Sequence, residues 1–207
     1  HDIRAFRGQK LGRTGPFTFH SGHDGAPYSL ASCHSLRWSE LVEVSKAESF
    51  LAYYERIRER TLRVAACIPR DKLEWRHQEG VFSFGDLLRH LAGTERFMFV
   101  ENALLRPTRY PGHGRELADG YDEVFAYLNR LHAESVEIIR GLSPSDLQRK
   151  CETPGGAPIT VWKWLRSMVE HEIHHRGQIY VFLSMLGIHG PPLYGLTAEE
   201  VRARSLP

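Results

Sequence analysis

The sequence predicts an all-α protein, an antiparallel four-helix bundle with a crossover connection and a short C-terminal helix. Three observations predict it. Amphipathic patterns recur over four stretches of roughly 20 residues, glycine and proline breakers separate them, and no convincing β hairpin intervenes. Three of the linkers exceed the shortest helix–helix turns, which leaves room for one connection to cross the bundle.

Residues 1–40 hold Gly8, Gly12, Gly15, Gly22 and Gly25 without a sustained apolar period, so they read as an extension outside the main core. The bundle domain then occupies residues 41–207. Its first helix is expected from a capping box, Ser45-Lys46-Ala47-Glu48, in which a hydroxyl and a carboxylate satisfy the first free backbone N–H groups. Phe50, Leu51, Tyr54, Ile57, Val64 and Ala65 follow at helical spacing up to Pro69. A second box, Ser83-Phe84-Gly85-Asp86, opens a helix through Leu87, Leu91, Phe97, Met98 and Leu104 that stops before Pro107. The third helix spans about Asp119 to Arg140, with Tyr121, Val124, Leu128, Leu131, Ile138 and Ile139 inward, and ends at Gly141. Ser143-Pro144-Ser145-Asp146 gives a short helical turn with a hydroxyl N-cap and proline at the first position. The fourth helix starts near Thr160, after the breakers Pro154 to Pro158, and runs to Gly187. Thr197-Ala198-Glu199-Glu200 caps a last short helix.

Composition excludes several function classes. The 27 basic and 25 acidic residues are interleaved, so no basic stripe suggests nucleic acid. No apolar run approaches the ~18 residues of a membrane span, and the first 30 residues show no apolar signal core. Cys33, Cys67 and Cys151 form no C-x-x-C pair, which fits reduced thiols. A cytoplasmic protein is the expectation. The unusual count is 12 histidines, three of them between residues 171 and 175.

Residues four apart share a helix face and residues three apart nearly do, so either His171/His174 or His171/His175 can chelate one ion. The flanking residues choose between them. Trp164, Met168, His171, His175, Gln178, Phe182 and Met185 form one stripe that is apolar at both ends. Lys163, Ser167, Glu170, His174 and Gly177 form a more polar line. His171 and His175 therefore face inward and His174 the edge. Buried imidazoles need partners. A divalent cation supplies one, and a hydrogen-bonded carboxylate or hydroxyl supplies the alternative. The best third ligand is His90, in line with Ser83, Leu87, Thr94 and Phe97; His132, beside the Leu128/Leu131 stripe, is the rival. Three histidines leave coordination open to water or a substrate thiolate.

His171-Glu172-Ile173-His174-His175 also matches the H-E-x-x-H pattern of zinc proteases, where the glutamate serves as general base. A protease needs a substrate-binding sheet edge, which this chain does not offer.

The segment Leu87-Leu88-Arg89-His90-Leu91, the run Glu170 to Gln178 with its His-x3-His-Arg-Gly-Gln core, and the tail Leu193-Tyr194-Gly195-Leu196-Thr197 together resemble the DinB/YfiT-like superfamily over roughly residues 45 to 205. The resemblance implies a crossover four-helix bundle, often a homodimer, with nickel or zinc on three histidines, which carry over to His90, His171 and His175. It further implies, from some relatives, a thiol-dependent transferase or isomerase using a low-molecular-weight thiol such as bacillithiol or mycothiol. No separate thiol-binding motif accompanies the histidines, so the thiol comes from the resemblance alone. The leading expectation is a metal-dependent S-transferase acting on a small-molecule substrate. A non-catalytic metal-binding stress protein and a metal-dependent hydrolase with Glu172 as general base are the alternatives. Glu172 and Gln178 are candidates to orient the ligands. Arg176 or Arg89 could receive a carboxylate of the thiol, and Thr94, Trp162, Trp164 and Phe182 could line the pocket.

Overall fold

A computed structural model of the chain describes residues 43–205. The extension expected over residues 1–40 lies outside them.

Helix α1 spans Ala47–Ala65. Its expected capping box does not form. Lys46 is the N-cap and has no side-chain cap bond, so Glu48 falls one position short of where the box needs a carboxylate. It still sits in the first turn, where the helix dipole favours negative charge. Helix α2, Phe84–Thr94, has the predicted box: Ser83 Oγ accepts from the Asp86 N–H at 3.0 Å, and Asp86 returns the bond to the Ser83 N–H at 2.9 Å. The single long helix expected here is interrupted. Glu95–Phe99 form a π-helical turn before α3, Val100–Ala103, and the chain leaves through Leu105 at φ 61°. One inserted residue barely disturbs an amphipathic pattern, so periodicity does not reveal it.

Helix α4 covers Tyr121–Arg140, entered through Gly120 at φ 94°, a conformation that favours glycine. Helix α5, Pro144–Gln148, carries the Ser143/Asp146 box. A small antiparallel hairpin follows, which the sequence reading did not expect. Its strands β1 (Lys150–Glu152) and β2 (Pro158–Thr160) pair with Cys151 opposite Ile159. Three-residue strands are too short to show alternation, and Pro154 to Gly156 become their turn. Helix α6 spans Val161–Met185, and α7, Ala198–Arg204, is capped by Thr197 as predicted.

The long helices meet in pairs: α1 packs on α6 and α4, and α2 packs on α4 and α6. Their apolar residues form two clusters. One gathers Phe50, Tyr54 and Ile57 of α1 with Phe99, Val100, Ile139, Trp164, Leu165 and Met168. The other gathers Val64 and Ala65 with Leu87, Leu88, Leu91, Leu128, Leu131, Ile179 and Leu183. Helices α1 and α6 therefore run from the first cluster to the second, and α2 and α4 run the other way. Between the clusters lies a belt of buried polar side chains: Arg58 and Thr61 on α1, Glu95 after α2, His132 and Ser135 on α4, and Glu172, His175 and Arg176 on α6. The candidate site belongs to this belt. Among the described residues, no helix is long and apolar enough to cross a membrane.

Candidate metal centre

The predicted stripe on α6 faces inward at its middle. Trp164, Met168, His175 and Phe182 are buried, while His171 and Gln178 are half-buried. Met185, at its C-terminal end, is exposed instead. Lys163, Glu170, His174 and Gly177 of the polar line are exposed, and Ser167 is half-buried. The helical offset separates His175 from His174 as the spacing predicts.

His90, on α2, meets the pair. Its Nε2 lies 3.0 Å from His171 Nε2, which is itself 3.0 Å from His175 Nε2. Among the described residues these three offer ligand atoms within 4.8 Å of one another, so the cluster can hold a metal ion. The rival, His132, is elsewhere in the belt, with Nδ1 2.8 Å from Glu95 and Nε2 3.4 Å from Glu55.

The outer nitrogens bear on what the inner ones can do. His175 Nδ1 stands 2.6 Å from Gln178 Oε1, an acceptor, so that nitrogen carries the proton and Nε2 points a lone pair inward. His90 Nδ1 is 2.7 Å from the Tyr110 hydroxyl, which can take its proton in the same way. Without a cation, one proton on His171 Nε2 would have to serve both neighbouring nitrogens at once. A cation accepts all three lone pairs. The donor set therefore fits a divalent metal, for which neutral imidazole is a good ligand. Protonation does not oppose it. Burial, then the neighbouring imidazoles, lower the His90 pKa to about 4 and the His171 pKa to about 3. Burial also lowers that of His175, against the opposing pull of Gln178. All three are neutral near pH 7, as ligation requires.

The remaining sequence candidates fall into two groups. Gln178 is beside the site, on His175. Thr94 binds backbone: its hydroxyl donates to the His90 carbonyl at 2.7 Å, one turn back on the same helix. Trp164 and Phe182 are core residues, Trp164 against Phe99 and Phe182 against Trp75 and Phe84. Trp162 is buried as well.

The two arginines that were candidates to receive a carboxylate, Arg176 and Arg89, are buried. Arg176 donates to the Ile57 carbonyl at 3.3 Å. Arg89 is fully enclosed and bonds Glu74 and Asp86 together with the carbonyls of His113 and Ala118. Glu172 is 1% exposed and pairs with Arg58 at 3.0 Å; the same guanidinium contacts Glu95 and, at 3.1 Å, the Tyr54 hydroxyl.

Sequence reasoning missed Tyr110, His113 and Phe82. Phe82 packs against the rings of His113 at 4.4 Å and His90 at 5.2 Å. All three lie in linkers, where periodicity says nothing about what faces the helices. A surface cleft of about 710 Å³ is lined by Asn102, Arg106, Lys150 and Cys151 among others and does not include the histidines.

The family model of the DinB superfamily matches residues 53–179, a span that contains all three histidines. The fold is similar to that of a DinB-like protein from Bacillus cereus, with TM-score 0.59 and 18% identity over 72% of this chain and 99% of that one. A DinB-like protein from Bacillus subtilis is similar at TM-score 0.56, with the same identity and coverage. At such identity the likeness concerns the fold alone. No curated protein matches the chain.

Proposed function

The chain belongs to the DinB superfamily, and we propose that His90, His171 and His175 hold one divalent cation, zinc or nickel, for the metal-dependent transfer of a low-molecular-weight thiol to a small electrophile. One observation carries the metal: three neutral imidazole Nε2 atoms from two helices converge, with 3.0 Å from His171 to each of the others. The thiol rests on the likeness of the histidine segments to thiol-using members of the superfamily. When bound, such an ion supplies Lewis acidity that makes a thiol a better nucleophile near neutral pH.

The chain's own residues give this ion a three-ligand site with coordination left for an external group. Gln178 fixes the His175 ring by accepting a hydrogen bond from its Nδ1–H. Phe82 packs against the His90 ring. Arg176 and Arg89 are engaged by backbone and carboxylates, so neither is free to receive a carboxylate of the thiol. Glu172 is engaged by Arg58, which disfavours the hydrolase reading that needs it as a free base. The same proposal reads the helices as an antiparallel bundle in which residues 105–120 make the crossover, since α2 and α4 run the same way between the two clusters. It also keeps a homodimer, for which Ile173 and Val181, exposed on α6, supply apolar surface.

The test is thiol consumption by the full chain loaded with zinc or nickel, against a panel of small electrophiles. Turnover with the loaded wild type and its loss in His171→Ala support the proposal. Equal turnover by metal-free protein contradicts it, and tight metal binding with no turnover favours the non-catalytic alternative.

A further inference from the structure

Beyond the three histidines, the linker between α3 and α4 brings Tyr110 against His90. The Tyr110 hydroxyl lies 2.7 Å from His90 Nδ1 and 3.2 Å from His113 Nδ1, so it bridges the two rings. The linker that carries it is strapped to α2 at several points. The Arg109 N–H donates to the Phe97 carbonyl, inside the π turn, at 2.8 Å. Arg89, fully enclosed, donates through Nε to the His113 carbonyl at 2.8 Å and through its guanidinium to the Ala118 carbonyl at 3.1 Å. Gly93 supplies the clearance, because a Cβ there would stand 3.2 Å from the Tyr110 ring. A tyrosine held this way has little freedom to turn from His90.

The order of protons along the bridge follows from chemistry. Ligation through His90 Nε2 requires that nitrogen to be bare, so Nδ1 carries the proton and must donate. The phenol oxygen accepts that proton, and its own O–H is then free to donate to His113 Nδ1. In the reverse order, His113 donates to the phenol, the phenol donates to His90 Nδ1, and the His90 proton moves to Nε2, where it blocks the site. We propose that Tyr110, backed by His113, is the positioning residue of the metal centre, selecting the His90 tautomer that presents Nε2 to the ion. This inference rests on the metal reading above.

Cobalt(II) titration of the full chain, followed by its visible d–d absorption, tests it. Partners of metal-bound histidines typically change affinity by about 10–100-fold when removed. We expect Tyr110→Phe to weaken cobalt binding by about that factor and to shift the d–d band. His113→Leu should weaken it less, and His113→Asn, which keeps an acceptor beside the phenol, should restore it. Thermal unfolding of the metal-free variants reports any loss of fold, and the Leu/Asn pair at position 113 decides the matter should Tyr110→Phe be unstable. Wild-type affinity and an unshifted band in folded Tyr110→Phe, or equal affinity of the two position-113 variants, would overturn the inference while leaving the metal reading intact. A wild type that binds no cobalt would overturn both.

Discussion

At the scale of single residues, hydrogen-bond valence constrains the centre as much as distance does. Gln178 can only accept from His175 through its Oε1, so one side chain sets where the ring's lone pair points. Replacing it with leucine should weaken metal binding by about 10–100-fold without unfolding the chain, as isothermal titration with zinc would show. Arg58 poses a different problem. It is the shared partner of Glu95 and Glu172, both nearly excluded from water. Arg58→Met leaves two buried carboxylates short of a cation and should cost about 3–5 kcal/mol in urea unfolding. The three histidines were legible as a candidate site because His171 and His175 share one mostly apolar stripe of α6 and His90 lies on an inward line of α2. The sequence did not show that Arg89 and Arg176 are buried, because the carbonyls and carboxylates they serve come mostly from other elements. Tyr110 was invisible for the same reason.

Elements place these residues. Helix α6 brings His171 and His175 to one face, and α2 carries His90 one turn before the π segment begins at Glu95. The widened turn coincides with the belt, and Glu95 enters it to meet Arg58 and His132. On α4, His132 faces Glu95, the exposed Glu55, Arg58 and the edge of the Tyr54 ring. Burial pulls its pKa down, but the hydrogen bond and charge of Glu95 outweigh that, and the net shift is upward. A histidine whose folded pKa is raised stabilises the fold fully below the unfolded value of about 6.5, and loses that contribution as pH climbs through the folded value. In metal-free protein, the penalty of His132→Leu should therefore be largest near about pH 6 and shrink on the alkaline side. A penalty that grows with pH would contradict the assignment. Caps were well legible in the sequence, with Ser83, Ser143 and Thr197 all confirmed, since they depend on residues three apart. The exception at Ser45 arose because α1 begins one residue later than the box allows.

For the molecule as a whole, two apolar clusters form the core and a polar belt between them carries the candidate site. The helical class was legible from periodicity because each helix buries one face. The π turn and the three-residue hairpin were not, because both are shorter than any repeat. Leu128, fully buried in the second cluster, should cost about 2–5 kcal/mol when cut to alanine. An ion held by His90, His171 and His175 would tie α2 to α6 through the belt. An ion that binds only the folded chain should stabilise it by about 2.7 kcal/mol at a hundredfold excess over its dissociation constant. The metal predictions rest on His90, His171 and His175 ligating one ion. Metal content of the full chain after zinc or nickel loading tests that ligation most directly. The account predicts one ion per chain, lost in His90→Ala and His171→Ala and kept in His174→Ala. A wild type that retains no ion, or a His174→Ala variant that loses it as fully as the other two, would contradict it.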